Sequence, residues 1–122
     1  MSTWSAPVRY AEIDGQGVVF NAHYLTYCDE AMSRYFKDLG LGEFSAHVQL
    51  VASTLAWRAP VRWGETVEVD VACRRVGTTS LVLAFDVHVG ERVCCRVETT
   101  YVNIDADGRS TPIPDDARAV LG

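Results

Sequence analysis

Hydrophobic side chains recur every three or four residues in the segment that follows Asn21, and polar side chains fill most of the other positions. The pattern runs from Tyr24 to Leu39 and predicts one long amphipathic helix. Asn21 is a suitable N-cap for this helix. Gly40 stands where a left-handed residue commonly ends a helix.

Alternation with a period of two dominates the rest of the chain and predicts β-strands. Val67, Val69 and Val71, for example, alternate with acidic residues. The segment 47–58 alternates less cleanly, which indicates a strand buried on both faces, and Pro7 favours an edge position for the first strand. The predicted strands span residues 3–10, 47–58, 65–75, 80–89 and 92–104, and Asp107-Gly108 predicts a turn into a short final strand.

The predicted order is one strand, one helix and then four or five strands joined by short turns. This order favours an α+β fold in which an antiparallel sheet of five or six strands wraps around one central helix. The length of 122 residues, 48% of them hydrophobic, suits a single domain over residues 1–122. One helix cannot cover both faces of the sheet, so the open surface and edges predict a homodimer that assembles further into a homotetramer.

Composition excludes several classes of function. The net charge of -5 argues against nucleic acid or an anionic membrane as the main partner. No uncharged apolar stretch reaches the roughly 18 residues of a membrane span, and the N-terminus lacks the order of a signal peptide, so we expect a cytoplasmic protein. The four cysteines and three histidines show neither a disulfide framework nor metal-ligand spacing. We therefore expect free thiols and no metal site.

The stretch VRYAEIDGQGVVFNAHYLTYCDEA, residues 8–31, places two acids and two glycines just before the predicted helix. It resembles the signature of the 4-hydroxybenzoyl-CoA thioesterase-like branch of the hotdog superfamily. A second stretch, RVGTTS at residues 75–80, resembles the R-x-G-x-x-S turn of the same family. The resemblance implies a hotdog fold over nearly the whole chain and hydrolysis of an acyl or aroyl thioester of coenzyme A.

The resemblance also implies that Asp14 is the catalytic carboxylate, and thioester chemistry agrees with a single carboxylate. The leaving thiol has a pKa of about 8.5, as a free cysteine does, so it departs without a strong general acid. Negative charge on the carbonyl oxygen needs donors, which we expect from the backbone amides of Phe20, Asn21 and Ala22 at the helix N-terminus. Gly17 lets the backbone approach the substrate. Direct attack by Asp14 and activation of a water both fit this pattern.

Further residues are candidates for substrate binding. Tyr24 either faces the core or lines the acyl pocket at the start of the helix. Arginine forks bind phosphate groups, which makes Arg58 and Arg75 candidates for the phosphates of coenzyme A. Under the resemblance, Gly77 and Ser80 offer backbone approach and a hydroxyl to the pantetheine arm. Coenzyme A enters as part of the substrate, and we expect no cofactor.

Other interpretations of the same residues stay open. Taken without the motif, Asp14 is more typical of a loop acid that caps a helix or closes a turn. Glu12 is expected to be a solvated or structural charge and His23 a surface residue. A thioester carried on an acyl carrier protein is an alternative substrate, with Arg58 and Arg62 as docking charges. A non-catalytic acyl-CoA-binding protein is an alternative from a different class.

Overall fold

The computed structural model describes residues 2–122, and five strands in it form one antiparallel sheet in the order β1-β3-β4-β5-β2. The longest helix, α1, packs on one face of this sheet against β1, β3 and β4. This architecture confirms the predicted α+β class, with five strands. The elements are β1 (Trp4–Pro7), α1 (His23–Asp38), α2 (Gly42–Ser45), β2 (Val48–Trp57), β3 (Thr66–Val76), β4 (Ser80–Val89), β5 (Arg92–Asn103) and α3 (Asp115–Leu121).

The alternating pattern separates a buried and a polar face in the centre of the sheet. Val71 lies opposite Phe85 on the face that α1 covers, while Asp70 lies opposite Asp86 on the other face. Each large apolar side chain removed from water contributes about 1.5 to 3 kcal/mol to stability. The apolar face of the sheet is therefore the one that packs against α1. The largest fully buried side chains are those of Tyr24, Phe36, Leu81, Leu83, Phe85 and Tyr101.

Helix α1 begins two residues later than the predicted cap. Ala22 occupies the N-cap position and makes no side-chain capping hydrogen bond, so the prediction that Asn21 caps the helix is wrong. The turn before the helix instead uses the backbone carbonyl of Asn21, which accepts the Tyr24 amide at 3.3 Å. At the other end Gly40 has φ +75°, which confirms the predicted left-handed residue.

Three strand predictions need correction. The first strand ends at Pro7, because the chain then enters a 3₁₀ turn at residues 10–12. Strand β2 is not buried on both faces, since it lies at an edge of the sheet and Val51 is 56% exposed. After Asp107-Gly108 the chain forms one isolated bridge and then α3, because Pro112 lacks a donor for a ladder and Pro114 occupies the N-cap of α3.

Residues 2–122 contain neither a membrane-spanning helix nor a cluster of metal ligands. No helix there combines the length and apolar character required to cross a membrane. No three His, Cys, Asp or Glu side chains among these residues lie together as a metal site would require. The four cysteines are free thiols, and Cys28, Cys94 and Cys95 are buried.

Candidate active site

The segment between the 3₁₀ turn and α1 folds into a short hairpin that carries the predicted catalytic acid. At its base the Phe20 amide donates to the carbonyl oxygen of Glu12 at 2.9 Å, and further up the Asp14 amide donates to the Val18 carbonyl at 2.8 Å. The tip requires a left-handed residue, and Gly17 supplies it with φ +79°. The glycine is therefore needed for the turn itself.

Asp14 closes this turn with only one of its carboxylate oxygens. Its Oδ1 atom accepts the Gln16 amide at 2.7 Å and the Val18 amide at 3.4 Å. Within residues 2–122, Oδ2 accepts no hydrogen bond, and the side chain is half-buried. The turn-closing interpretation of Asp14 is thus correct, and it leaves one oxygen available for chemistry.

The helix N-terminus presents two open backbone donors. The amides of Asn21 and Ala22 have no acceptor in the described chain, and both residues are exposed. The Phe20 amide, also predicted as a donor, is occupied by the Glu12 carbonyl. Because the helix dipole concentrates roughly half a positive charge at this end, the two open amides favour an anion.

A cleft of about 310 Å³ opens beside the helix N-terminus. Two predicted substrate-binding residues, Tyr24 and Arg58, line it together with Asn21. The Tyr24 hydroxyl accepts the Val61 amide at 3.2 Å, and burial raises the pKa of Tyr24, so the phenol stays protonated. The other lining residues are Val18, Val19, Trp57, Ala59 and Pro60.

The predicted substrate-binding residues of the R-x-G-x-x-S turn, namely Arg75, Gly77 and Ser80, lie far from the cleft in the same chain. The start of β3 pairs with Pro7 near the Asp14 hairpin, whereas Arg75 lies near the other end of that strand, roughly 30 Å away at 3.3 Å per residue. There the Gly77 amide donates to the Ser80 carbonyl at 2.7 Å in a tight turn. A single chain therefore does not bring Arg75, Gly77 and Ser80 to the cleft.

The side chain of Glu12 lies beside the site, although the sequence did not indicate a function for it. Glu12 is only 4% exposed, and its Oε1 atom accepts the Tyr27 hydroxyl and the Arg9 amide, each at 2.9 Å. Its Oε2 atom accepts the Arg9 Nε at 3.2 Å and Nη2 at 3.0 Å. The expectation of a solvated charge is wrong, and that of a structural charge is correct. The available signal was the three-residue spacing from Arg9 to Glu12, which suits a capped turn.

His23 lies in the first turn of α1 with its ring edge-on to Phe20, the centroids 6.3 Å apart. It does not line the cleft beside the helix N-terminus. A larger cavity of about 410 Å³ lies at the other end of the molecule between α2 and α3, and it contains none of the predicted site residues. The cleft at the helix N-terminus is the one that Asn21, Tyr24 and Arg58 line. The other predicted site residues of this segment, namely Asp14, Gly17, Phe20 and Ala22, are close to it in sequence but do not line it.

A sheet wrapped on one long helix, with a carboxylate hairpin directly before that helix, defines a hotdog-fold thioester hydrolase. Comparison with known families agrees with this class. A model described as "Thioesterase-like superfamily" matches residues 8–121, and the chain belongs to that superfamily. The predicted family and the predicted class of enzyme are thereby confirmed.

Known relatives cover most of the chain. A 1,4-dihydroxy-2-naphthoyl-CoA hydrolase from Nostoc punctiforme is 26% identical, over 93% of this chain and 82% of its own length. A predicted thioesterase from Bacillus stearothermophilus is 28% identical with a TM-score of 0.88, over 97% and 91% of the two chains. A thioesterase from Thermus thermophilus, solved with coenzyme A and Zn, shares the fold, with 24% identity, a TM-score of 0.89 and coverage of 97% and 89%.

Proposed function

We propose that the protein hydrolyses an acyl or aroyl thioester of coenzyme A to the free acid and the thiol, with Asp14 as the catalytic carboxylate. The observation that carries this proposal is the combination of open polar groups within residues 14–22, a short segment from which Val18, Val19 and Asn21 line the cleft. These groups are the Oδ2 atom of Asp14 and the amides of Asn21 and Ala22. The names of the relatives support the choice of substrate, because they include a naphthoyl-CoA hydrolase and a thioesterase bound to coenzyme A.

In the proposed reaction the thioester carbonyl lies at the mouth of the cleft with its oxygen toward the helix N-terminus. Asp14 either attacks the carbonyl carbon or removes a proton from an attacking water, and the C–S bond breaks as the thiolate leaves. The amides of Asn21 and Ala22 stabilise the oxyanion, and one such donor contributes about 3 kcal/mol in other hydrolases. After direct attack, a water cleaves the mixed anhydride on Asp14, which releases the free acid and restores the carboxylate; after attack by water, the free acid forms directly. On both routes the thiolate takes up the proton that the water gives up, which completes the hydrolysis.

Arg58 is proposed to bind the phosphates of coenzyme A. It lines the cleft, it is exposed, and its guanidinium group makes no ion pair within residues 2–122. An unpaired guanidinium group at the rim of a cleft matches a bidentate phosphate ligand. The neighbouring Arg92, by contrast, is already bonded to Glu65 at 2.7 Å.

Two copies of the chain are proposed to pair through the exposed edge of β2. Edge strand β1 is four residues long and ends in proline, which discourages pairing. Strand β2 is ten residues long and carries exposed Leu50, Val51 and Trp57 along its length. An open edge of this length with apolar side chains favours addition of another strand. Further assembly of such dimers into a homotetramer stays a proposal.

Pairing of this kind would also bring the R-x-G-x-x-S turn of one subunit toward the cleft of the other, which Tyr24 and Arg58 line. An antiparallel two-fold pairing centred near Ser53 sets Trp57 opposite the partner's Gln49. Within one chain, Gln49 pairs with Val102, and Val102 pairs with Ser80. The partner's Ser80 would then lie two strand spacings, about 10 Å, from the edge that meets the cleft. The R-x-G-x-x-S turn of one subunit would thus serve the cleft of the other.

The proposed chemistry requires no resident cofactor, because coenzyme A is part of the substrate. Free thiols at Cys28, Cys73, Cys94 and Cys95 suit a reducing compartment, which supports the cytoplasm as the proposed location. Acyl carrier protein thioesters are an alternative substrate class that shares the same reaction and the same Asp14.

A panel of coenzyme A thioesters that vary in chain length and aromaticity, read by release of free thiol, tests the proposal. The wild-type protein should hydrolyse at least one member, and Asp14→Asn should lower kcat by roughly 1000-fold or more, as for other essential catalytic groups. Asp14→Asn should still bind a non-hydrolysable thioether analogue, because the cleft is unchanged. Equal turnover by wild type and Asp14→Asn would remove Asp14 from the mechanism.

A further inference from the structure

Glu12 is a buried ionisable residue that the proposed reaction does not use directly. A buried carboxylate is costly unless donors surround it, and the Arg9 and Tyr27 groups supply four such donor contacts. Burial opposes its ionisation, but the hydrogen bonds from the Arg9 amide, the Tyr27 hydroxyl and the Arg9 guanidinium outweigh burial and lower the pKa of Glu12. Burial and the bond to Glu12 raise the pKa of Tyr27. The pair is therefore an ionised carboxylate and a neutral phenol.

The position of this residue joins three parts of the site. Through its backbone carbonyl Glu12 holds the Phe20 amide, one residue before the open amide of Asn21. Through its side chain it holds Tyr27, which lies more than one turn into α1. Asp14 follows two residues later on the same hairpin. The hairpin that carries the carboxylate is thus tied to the helix that carries the oxyanion donors by contacts of a single residue.

We propose that Glu12 is the positioning residue that sets the Asp14 carboxylate relative to the helix N-terminal amides, with Tyr27 as its anchor on the helix. This inference rests on the proposed function and adds a residue to it. Glu12 lines a separate depression with Trp4, Arg9 and Tyr27 and does not line the cleft at the helix N-terminus. Its effect on catalysis is therefore expected to act through geometry.

The expected signature is a loss of kcat with little change in KM. A shift of about 1 Å in a reacting group can lower the rate roughly 100-fold, whereas the cleft and Arg58 keep their contacts with the substrate. In Glu12→Gln the side chain keeps its size, but its NH2 group faces the Arg9 guanidinium without an acceptor between them. We expect kcat to fall roughly 10- to 100-fold and KM to stay within about threefold of wild type.

Three variants measured beside wild type test this inference with benzoyl-CoA, or whichever thioester in the panel reacts fastest. Tyr27→Phe removes the anchor hydroxyl, and we expect kcat to fall roughly threefold to tenfold. Glu12→Asp keeps the charge on a shorter side chain and should retain more activity than Glu12→Gln. Tyr101→Phe is the matched control, because Tyr101 is also a buried tyrosine but its hydroxyl makes no hydrogen bond within residues 2–122. Its kcat should equal that of wild type.

Each variant is assayed well below its own unfolding temperature, so that a loss of stability alone does not lower kcat. If Glu12→Gln does not fold, the order of kcat for wild type, Glu12→Asp, Tyr27→Phe and Tyr101→Phe still decides the question. Wild-type kcat in folded Tyr27→Phe and Glu12→Asp would overturn the inference. So would a parallel rise in KM that accounts for the entire loss in kcat/KM.

Asp14→Asn is measured in the same series to separate the two proposals. If Asp14→Asn is inactive while the Glu12 and Tyr27 variants match wild type, the positioning role fails and the proposed function stands. If Asp14→Asn retains wild-type turnover, or if wild type hydrolyses none of the thioesters, the proposed function fails and the positioning role fails with it.

Discussion

The indole ring of Trp57 meets the phenol ring of Tyr24 edge-on, with centroids 6.1 Å apart and an interplanar angle of 87°. The two rings form one wall of the cleft beside the helix N-terminus. Tyr24 is buried, whereas Trp57 ends the exposed edge strand. Trp57 is therefore the residue of this wall whose side chain can be shortened without disturbing the core.

Trp57→Ala should change the preference for the acyl group more than the stability. Loss of the indole ring enlarges the cleft, so we expect bulkier acyl groups to gain in kcat/KM relative to small ones by roughly 10-fold, since one methylene group is already worth about 1 to 3 kcal/mol. The measurement is the ratio of kcat/KM for benzoyl-CoA and a naphthoyl-CoA. Trp63→Ala is the control, because Trp63 is exposed to a similar degree but packs on Tyr10 and does not line the cleft. An equal shift in both variants would contradict a role for Trp57 in the acyl pocket.

Arg58→Ala should weaken binding of coenzyme A thioesters specifically. A charge-assisted hydrogen bond contributes about 1.5 to 3 kcal/mol, which corresponds to a rise in KM of roughly 10- to 100-fold. A thioester of N-acetylcysteamine, which lacks the phosphates, should show the same KM with both proteins. Arg109→Ala is the control, since Arg109 is exposed in the turn that follows β5.

Charge reversal at Arg58 and Arg62 separates coenzyme A from a carrier protein as the natural acyl donor. Carrier proteins are acidic and dock on basic residues, so Arg58→Glu and Arg62→Glu would then both abolish carrier turnover. If coenzyme A is the donor, Arg58→Glu raises KM strongly. Arg62→Glu then has little effect, because Arg62 does not line the cleft. Unchanged KM for every substrate in Arg58→Ala would exclude Arg58 from the site.

The extent to which the sequence predicts this molecule varies from one element to the next. Strand β4 was predicted over residues 80–89 and occupies Ser80–Val89, since its alternation is strong and the glycines at positions 77 and 90 flank it. Burial of β2 was not predictable in the same way. Whether a strand lies at the centre or the edge depends on the order of pairing, which local alternation does not encode. Helix α2 is only four residues long and leaves no periodic signal.

The candidate site shows the same division. Asp14 and the helix N-terminus are close in sequence, so one local pattern yields both candidates, and the catalytic role of Asp14 stays a prediction. The burial of Glu12 depends on the packing of the 3₁₀ turn against Tyr27, fifteen residues away, and no spacing rule gives that contact. The separation of Arg75 from the cleft follows from the length of β3, which only becomes informative once the sheet order is known.

Val51→Asp should dissociate the proposed dimer. Val51 lies at the irregular register between Leu50 and Ala52 on the exposed edge, and a charge there opposes pairing of β2 with a second copy. We expect the dimer dissociation constant to rise by roughly 10-fold or more, measured by analytical ultracentrifugation. Val120→Asp is the control, because Val120 is exposed to a similar degree on α3. Loss of activity should follow loss of the dimer, since the partner's turn would then be missing from the cleft.

Two results would contradict the pairing through β2. The first is a wild-type protein that is monomeric at all concentrations yet fully active. The second is dissociation by Val120→Asp with no effect of Val51→Asp, which would place the contact at α3.

Glu12 should make the stability of the protein depend on pH in the acidic range. In the folded state the pKa of Glu12 lies below its ordinary value of about 4.5, so folding favours the ionised form of this side chain. The stabilisation is present in full above the unfolded pKa and is lost as the pH falls through the folded pKa. The difference in free energy of unfolding between wild type and Glu12→Gln should be about 1 to 3 kcal/mol at neutral pH and should shrink below pH about 4.5.

Urea unfolding of both proteins at a series of pH values measures this difference directly. The two proteins should converge in acid, because the wild-type side chain at position 12 itself becomes neutral there. Glu98→Gln is the matched control, since Glu98 is exposed and makes no side-chain hydrogen bond within residues 2–122. Its difference from wild type should stay near zero at every pH. A difference for Glu12→Gln that is constant with pH would mean that packing, and not the buried charge, accounts for the contribution of Glu12.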